Sequence, residues 1–300
     1  MVRRTRPIAR TRHGICGEAS SFRGSDALKV AITGSTGLIG GALARALRAD
    51  GDDVIAIPRG GSDLGGADAV VHLSGSPIAV RWNALRKREI RTSRVLSTQR
   101  IADAIDASKP APRVFICASA IGIYGDRGSE ALTEQSAPGD DYLAGVVREW
   151  EAAARGTRVR SVQLRFGIVL SPDGGALAKM LPVFRMGLGG RLATGAQWMS
   201  WIGLHDLVRV IRFAIASADM NGAVNAVAPS PVTNAEFTQT LAHVLRRPAF
   251  FAVPEFALRT LFGEAAEMML ASQRVIPSRL QNAGFEFDAP TLESALRREL

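Results

Sequence analysis

The sequence predicts an α/β fold in which a doubly wound parallel sheet is accompanied by a smaller C-terminal lobe. Short apolar segments that read as strands alternate with helical segments through the first half of the chain, which is typical of parallel βαβ units. A glycine-rich turn joins the first strand to the first helix. The chain has 300 residues, 47% of them hydrophobic, so it is long and apolar enough to form a large core.

The order of the elements follows from the spacing of apolar and punctuating residues. Strands are predicted at residues 28–33, 53–57, 69–73, 113–118 and 160–170, and helices at 41–49, 83–107 and 142–154. A long irregular stretch rich in glycine is expected from residue 170 to Trp201. A helix at 204–217, a strand at 222–227 and a helix at 234–245 that begins at a Thr or Asn cap follow. Residues 27–170 are therefore predicted to form a dinucleotide-binding domain, and residues 171–300 a substrate-binding lobe.

Residues 28–40 carry the strongest functional signal. An apolar strand ends at Thr33, three glycines follow at intervals of three residues, and a helix continues the chain. Such glycines allow a tight turn, close approach of a pyrophosphate and close packing of helix on strand, and the helix N-terminus offers free N–H groups to the phosphates. The pattern predicts a Rossmann-type dinucleotide site, with an ordinary glycine-rich turn as the alternative. Its residues are Gly34, Thr36, Gly37, Leu38, Ile39 and Gly40.

The residue after the second strand indicates which dinucleotide binds. An acid at this place binds the ribose hydroxyls of NAD, whereas an arginine accepts the 2′-phosphate of NADP. Here the strand is followed by Pro58 and Arg59, and the next acid is Asp63. The sequence therefore predicts NADP(H), with a solvated surface arginine as the alternative. Five further residues are assigned to the cofactor site: Leu73, Ser74, Gly75, Ala118 and Arg165.

Charge and composition limit the remaining function classes. The formal net charge is +9, and residues 1–26 contribute six arginines against two acids. We expect this segment to be a disordered basic tail, with a mitochondrial transit peptide and an upstream start as alternatives. The rest of the chain has no basic stripe with interleaved aromatics, which argues against nucleic-acid binding. It also has no apolar run long enough to span a membrane.

Cysteine and histidine usage adds two expectations. The two cysteines are Cys16, in the basic tail, and Cys117, in a predicted buried strand. This placement predicts no disulfide and a reducing, cytoplasmic compartment. The four histidines lack ligand spacing, so no metal site is predicted.

Several motifs together resemble a known family. The pattern of Thr33 to Gly40, the segment Ser119-Ala-Ile-Gly-Ile-Tyr-Gly125 and the downstream Tyr142 are similar to those of the extended short-chain dehydrogenases/reductases. His72-Leu-Ser-Gly75, Trp198-Met-Ser-Trp201 and Gln273-Arg-Val-Ile-Pro277 resemble its atypical "epimerase family protein" group. The resemblance covers residues 28–300. It implies NADP(H), a small-molecule substrate, a homodimer and a distinct C-terminal segment at about 247–300.

The resemblance also implies a catalytic set, and this chain departs from it. Members of the superfamily use a Ser, a Tyr and a Lys four residues after the Tyr, and the Lys lowers the pKa of the phenol. Ser119 and Tyr142 match the first two positions, but Val146 stands where the Lys is expected. Tyr124 is a substitute proton donor, predicted to face the substrate pocket. For both tyrosines a packing role is the alternative.

The region that covers the substrate cleft in relatives supplies three predicted substrate-binding residues: Lys179, Gln197 and Trp201. For Lys179, a solvated surface residue is the alternative. Arg94 is a weaker phosphate-binding candidate. Two functions stay open at this point. The first is an NADP(H)-dependent oxidoreductase or epimerase-like isomerase that acts on a carbonyl, hydroxyl or nucleotide-sugar compound. The second is a non-catalytic NADP(H)-binding redox sensor.

Overall fold

The structure, a computed structural model, describes residues 27–300. The predictions for the basic tail, including Cys16, lie outside the described residues. Cys117 is buried and free, and burial raises the pKa of its thiol to about 12. No helix between residue 27 and the C-terminus is both long and apolar enough to cross a membrane.

Fourteen strands and ten helices are formed within these residues. The strands are β1 Lys29–Thr33, β2 Asp53–Ile57, β3 Ala69–His72, β4 Val114–Ala120, β5 Ala131–Leu132, β6 Arg160–Phe166, β7 Ile168–Leu170, β8 Gly190–Leu192, β9 Trp198–Met199, β10 Trp201–Gly203, β11 Gly222–Ala226, β12 Val232–Thr233, β13 Phe251–Val253 and β14 Arg274–Val275. The helices are α1 Leu38–Ala49, α2 Ala84–Ala107, α3 Tyr142–Arg155, α4 Gly175–Arg185, α5 Leu204–Ala216, α6 Asn234–Leu245, α7 Glu255–Phe262, α8 Ala266–Leu270, α9 Ser278–Asn282 and α10 Leu292–Glu299. Short 3₁₀ helices lie at Ile121–Tyr124 and Gly263–Ala265.

A six-stranded parallel sheet forms the centre of the molecule and confirms the predicted fold class. Its strand order is β2-β1-β3-β4-β6-β11, and all five pairings are parallel. The chain moves from β1 outward to β2 and then returns to the other side of β1 with β3. This reversal creates a topological switch point between β1 and β3, and ligands of such sheets bind outside the carboxyl ends of the strands there.

Helices cover both faces of this sheet. On one face, α1 and α5 pack on every second residue of the strands, such as Val30, Ile32 and Ile116. On the other face, α2 and α3 cover the intervening positions, such as Ala31 and Phe115. The strands are buried on both sides, which explains why they read in the sequence as nearly continuous apolar runs.

The C-terminal lobe has its own apolar core but shares elements with the sheet. Trp201 and Phe237 are fully buried between α4, α6 and α10. However, β11 is an edge strand of the central sheet, and α5 packs on that sheet. The predicted boundary at residue 170 therefore does not separate the two parts in space, because the chain returns to the sheet before it completes the lobe.

Most predicted elements agree with the structure to within a few residues, including the Thr233 cap of α6, which forms a capping box with Glu236. The prediction of an irregular stretch between residue 170 and Trp201 is wrong. It contains α4, in which Pro182 lies inside the helix, as well as β8 and β9. The proline masks the helix in the sequence, but the buried side chains of Leu177, Leu181 and Phe184 keep this helix packed on the lobe.

Candidate dinucleotide-binding site

The turn between β1 and α1 has the geometry that the glycine pattern predicts. Gly34 has a φ angle of +71°, which favours glycine because it has no Cβ. The amide of Gly37 donates to the carbonyl of Gly34 at 2.9 Å and closes the turn. Gly37 is the N-cap of α1, and neither a side-chain cap nor an acid in the first turn competes for the helix N-terminus. Backbone N–H groups are thus available to an anion.

Two glycines are required because backbone segments approach closely. A Cβ atom on Gly40 would lie only 2.2 Å from the carbonyl oxygen of Gly34. A Cβ atom on Gly34 would lie 3.2 Å from backbone atoms of Leu73 and Ser74, just after β3. The turn therefore packs directly against the carboxyl end of the neighbouring strand. Thr36 and Gly37 at its tip are exposed, and Leu38 and Ile39 are half-buried.

Arg59 lies where the sequence predicts the 2′-phosphate contact. It follows β2 by two residues, is exposed, and forms no ion pair with any acid among residues 27–300. A second cation is close, because Nη1 of Arg100 lies 3.9 Å from the position that a Cβ of Gly60 would occupy. The end of β2 is thus bordered by two arginines on neighbouring elements, a suitable arrangement for a phosphate dianion.

A neutral histidine connects the ends of β1 and β3. The hydroxyl of Thr33 accepts from the amide of Leu73 at 3.1 Å and lies 2.7 Å from Nδ1 of His72. Ser97 donates to the carbonyl of Ser93 at 2.6 Å, so its oxygen accepts from Nε2 of His72 at 3.1 Å. Burial, and to a smaller extent the charge of Arg100, lowers the pKa of His72 to about 4. The imidazole is therefore uncharged at neutral pH and acts as a fixed hydrogen-bonding bridge beside the turn.

Three buried polar side chains lie side by side across neighbouring strands near their carboxyl ends. The register pairs Ser119 of β4 with Arg165 of β6, and Arg165 with Asn225 of β11. Glu151 of α3 accepts from Oγ of Ser119 at 2.7 Å and from Nε and Nη2 of Arg165 at 2.8 and 3.0 Å. We call Ser119, Glu151, Arg165, Asn225 and Tyr124 the polar row. The two-pronged contact of guanidinium and carboxylate is the strongest kind of charge-assisted pair.

Tyr124 closes the polar row. It is 0% exposed, and its hydroxyl donates to Oδ1 of Asn225 at 2.7 Å and accepts from Nη1 of Arg165 at 2.8 Å. Burial raises the pKa of Tyr124, although the charge of Arg165 opposes this effect. For Arg165, burial lowers the pKa, but the hydrogen bonds and charge of Glu151 outweigh burial and raise it.

The polar row corrects three predicted roles. The prediction that Tyr124 faces the substrate pocket is wrong, because its side chain is fully buried. Ser119, predicted to contact a reacting oxygen, is 2% exposed and donates to Glu151 instead. Arg165, predicted to contact the cofactor, directs its guanidinium to Glu151 and Tyr124. Ala118 is buried beside them on β4.

Tyr142 is also engaged by the protein. It is the first residue of α3, and its hydroxyl donates to the backbone carbonyl of Lys87 at 2.6 Å. Its ring packs edge-on against Trp82, with centroids 5.6 Å apart. Burial raises its pKa, although the charges of Lys87 and Arg94 oppose the shift. Tyr142 therefore stays protonated at neutral pH and is not prepared to act as a base.

The predicted substrate-binding residues divide into two kinds. Trp201 is fully buried, and its indole N–H donates to the carbonyl of Ser230 at 3.1 Å. Gln197 is 8% exposed, and its side-chain amide donates to the carbonyl of Leu192 at 3.2 Å. Both side chains therefore bond to backbone of the lobe, and their contact with a substrate stays a prediction. Lys179 is an exposed residue of α4.

Sequence reasoning assigned no role to Arg274 and none to Trp198, although both lie in motifs that carried the resemblance. The guanidinium of Arg274 lies 4.7 Å from the ring centroid of Trp198. Arg94, the weaker phosphate candidate, donates to the carbonyls of Ile90 and Ser76 and lies near Gly75. Burial lowers the pKa of Arg94, so its charge is partly desolvated beside the loop that follows β3.

One cluster of metal-ligating types occurs elsewhere among residues 27–300. Ligand atoms of His205, Asp206 and Asp288 lie within 4.8 Å of one another. Arg209 contacts both carboxylates at 2.9 Å, and Arg298 lies 2.9 Å from Nε2 of His205. The arginines already supply the positive charge that the carboxylates need, so the cluster is a network of ion pairs between α5 and the C-terminal segment.

Comparisons with known proteins agree with this fold and site. The description "NAD dependent epimerase/dehydratase family" matches residues 30–227, and "Domain of unknown function (DUF1731)" matches residues 253–299. The human "Epimerase family protein SDR39U1" is 36% identical over 289 residues, which cover 90% of this chain and 99% of the relative. A chloroplastic homolog of it from Arabidopsis thaliana is 39% identical, over 90% of this chain and 86% of its own length.

Solved structures give the same result. The crystal structure of human SDR39U1 (isoform 2) with NADPH has a TM-score of 0.87 and 35% sequence identity, and the match covers 91% of this chain and 99% of that one. A UDP-glucuronic acid 4-epimerase from Bacillus cereus, at 17% identity and a TM-score of 0.72 over 91% of this chain and 98% of that one, shares the fold.

The switch-point sheet and the glycine turn thus define a protein of the Rossmann-type dinucleotide-binding class. Within that class, the chain belongs to the NAD dependent epimerase/dehydratase family, whose model covers more than half of its length. It is similar to the SDR39U1 group over nearly all of the residues that the structure describes.

The close packing at Gly40 predicts a sharp difference between two adjacent glycines. Gly40→Ala should lower the free energy of unfolding by about 1–3 kcal/mol, because the new methyl group meets backbone that must shift. It should also weaken NADPH binding, because the turn itself moves. Gly41→Ala is the control: its Cβ would meet only atoms at 3.6 Å. It should leave binding unchanged and stabilise the helix by roughly 0.5–1 kcal/mol. Urea unfolding measures the stability of each variant, and titration measures its affinity for NADPH. Equal stability and equal affinity of the two variants would contradict the packing argument.

The neutral His72 predicts a specific loss of stability in acid. Its pKa is about 4 in the folded protein against 6.5 in the unfolded chain, so the unfolded state takes up the proton first. Stability from this residue is complete above pH 6.5 and declines as the pH falls toward 4, by about 3 kcal/mol in total. In His72→Gln the unfolding free energy, measured by urea titration at each pH, should fall less steeply over this range. Parallel curves for the two proteins would show that His72 is not the group responsible.

Proposed function

We propose that this chain binds NADP(H) in the turn between β1 and α1. The observation that carries the proposal is the turn itself, whose backbone N–H groups lie open at the switch point of the sheet. Support comes from the human relative, which was crystallised with NADPH and has a TM-score of 0.87 to this chain. Packing of Gly34 and Gly40 leaves no room for side chains under the bound diphosphate.

The residues around the turn fit each part of this cofactor. The amides of Leu38 and Ile39 would hold the pyrophosphate, and Arg59 the 2′-phosphate. The segment Leu73 to Gly75 follows the adjacent strand and would line the next part of the cofactor. When bound, the nicotinamide supplies or accepts a hydride. The protein contributes the binding, the orientation and the neutral His72 bridge beneath the turn.

We propose, as the first function, an oxidoreductase or epimerase-like activity on a small carbonyl, hydroxyl or nucleotide-sugar compound. Membership of the epimerase/dehydratase family supports it. In this proposal the usual Ser, Tyr and Lys set does not transfer the proton. Val146 replaces the Lys, and the hydroxyls of Ser119, Tyr124 and Tyr142 all donate hydrogen bonds to protein atoms.

The same occupied hydroxyls favour a second function, a non-catalytic NADP(H)-binding redox sensor. A protein of this kind needs the cofactor turn but no acid or base beside the nicotinamide. The two functions separate in a single-turnover experiment with bound NADPH and a panel of aldehydes, ketones and nucleotide sugars. Oxidation of NADPH by any compound supports the enzyme, and none across the panel supports the sensor.

The homodimer and the cytoplasmic location expected from the sequence stay predictions. One relative, from Arabidopsis thaliana, is described as chloroplastic.

The exposed, unpaired Arg59 predicts the basis of cofactor choice. Arg59→Ala should weaken NADPH binding by about 10- to 100-fold, the loss of one or two charge-assisted hydrogen bonds. NADH binding should not change, because NADH lacks the 2′-phosphate. Arg113→Ala is a matched control, since Arg113 is an exposed arginine at the opposite, amino-terminal edge of the sheet and pairs with Asp68. If wild type binds both cofactors equally and Arg59→Ala changes neither affinity, the 2′-phosphate assignment fails.

The raised pKa values of both tyrosines predict a simple titration. The chain contains only two tyrosines, so the ultraviolet absorbance of phenolate reports on Tyr124 and Tyr142 alone. Each phenol should be less than half ionised at pH 10, the ordinary tyrosine pKa, with or without NADPH, because burial raises the pKa of both tyrosines. Tyr142→Phe should remove one of the two high-pH steps. A phenolate that appears near neutral pH and disappears in Tyr142→Phe would restore Tyr142 as the catalytic base.

A further inference from the structure

Arg274 lies where the C-terminal segment meets the loop that follows β4. It begins β14, which pairs in parallel with β5, and its partner in the register is Ala131. The preceding residue, Gln273, donates through its backbone to the carbonyl of Trp198 at 3.0 Å and through its side chain to the carbonyl of Gly125 at 3.0 Å. Because that loop leaves the carboxyl end of the central sheet, Arg274 is fixed on the ligand-binding side of the fold.

The guanidinium of Arg274 is placed against the face of Trp198 and has no polar partner. The distance from its central carbon to the ring centroid of Trp198 is 4.7 Å. Its Nε atom is buried without a hydrogen-bond acceptor. Neither a hydrogen bond nor an ion pair joins its guanidinium to any residue from 27 to 300. This contact with the ring restricts the positions that the guanidinium can occupy.

Other desolvated arginines of this protein are satisfied. Arg165 binds Glu151, and Arg160 donates to the carbonyls of residues 214, 215 and 220. Arg279, only five residues after Arg274, donates to two backbone carbonyls. Among the half-buried arginines of residues 27–300, Arg274 stands alone in having no such partner. The Nε–H of Arg274 is desolvated without an acceptor, which is destabilising, and an oxyanion from a ligand would supply that acceptor.

We propose that Arg274 binds an oxyanion, a carboxylate or a phosphate, of the small molecule that this protein accepts beside its dinucleotide. The planar fork of a guanidinium matches both groups, and Trp198 holds it in place. This assignment names an anionic substrate class and rests on the proposed function only in taking the sheet's carboxyl side as the small-molecule site. Lys179, a second cation that the sequence offered for this task beside a role as a solvated surface residue, is exposed on α4 and has no comparable setting.

The first test separates a binding residue from a structural one. Arg274→Met keeps an apolar chain of similar length against Trp198 but removes the charge. Its urea midpoint in the ligand-free protein should equal or exceed that of wild type, because an unsatisfied charge is removed. Arg274→Lys, which keeps the charge, provides the folded comparison. A lower midpoint for Arg274→Met than for wild type would mean that Arg274 stabilises the fold, and this outcome would overturn the proposal.

The second test observes the ligand contact directly. The side-chain Nε–H resonance of Arg274 is assigned by its absence from the spectrum of Arg274→Lys. Wild type is titrated with sodium phosphate, sodium pyrophosphate and sodium acetate, with sodium chloride as the ionic-strength control. The resonance should shift with saturation for phosphate and pyrophosphate, for acetate, or for all three, and not with chloride. The responding anion distinguishes a phosphate group from a carboxylate. The anion affinity from this titration should weaken at least tenfold in Arg274→Met, followed on neighbouring backbone amides, and stay unchanged in Arg113→Ala, which removes an exposed arginine at the amino-terminal edge of the sheet.

Measuring NADPH binding in the same samples keeps the two proposals apart. Arg274→Met should bind NADPH as wild type does. A tenfold loss of NADPH affinity would place Arg274 in the cofactor site and overturn the assignment to a second molecule. The absence of a saturable shift with all three anions, in protein that binds NADPH, would also overturn it. Anion binding through Arg274 in protein that binds no NADPH would instead contradict the proposed function.

Discussion

The buried pair of Glu151 and Arg165 is the interaction on which the carboxyl side of the central sheet depends. It joins α3 to the sheet, and through Ser119, Asn225 and Tyr124 it ties β4, β11 and the 3₁₀ helix to the same point. Desolvating two charges is unfavourable unless further hydrogen bonds complete the geometry. Here each partner is satisfied, so the position of every member is determined by the others.

This constraint also limits how the hydroxyl groups of the polar row can move. A serine or tyrosine hydroxyl that acts on a substrate must be able to leave its resting partner and reach a reacting atom. In the polar row, removing the hydroxyl of Ser119 or Tyr124 from its partner would leave a buried carboxylate or guanidinium less satisfied, which is costly at these exposures of 1% and 7%. The network therefore uses as structural bonds the same groups that the family resemblance offers as catalysts.

The sequence was sufficient for the sheet and the turn, because both depend on local patterns. Strand runs, the Gly34 to Gly40 spacing and the Thr233 cap are short-range signals. The polar row was missed because it is a matter of register: Ser119, Arg165 and Asn225 are neighbours only when β4, β6 and β11 align. One signal was available, since alternation puts Ser119 on the same strand face as Phe115 and Cys117, under α3, and not in the open cleft. The sequence cannot indicate that Arg274 has no hydrogen-bond partner among residues 27–300, because this depends on which atoms surround the side chain.

The arginines show how charge is distributed between folding and binding in this protein. Arg160, Arg165 and Arg279 complete hydrogen bonds that the fold itself would otherwise lack, so their charges are already used. Arg59 and Arg274 are not used in this way. An exposed arginine such as Arg59 is solvated by water, so it destabilises the ligand-free protein little. The Nε atom of the half-buried Arg274 is desolvated without an acceptor among residues 27–300, and we assign that place to a ligand that carries negative charge. The lack of a partner is therefore more informative for the buried arginine than for the exposed one.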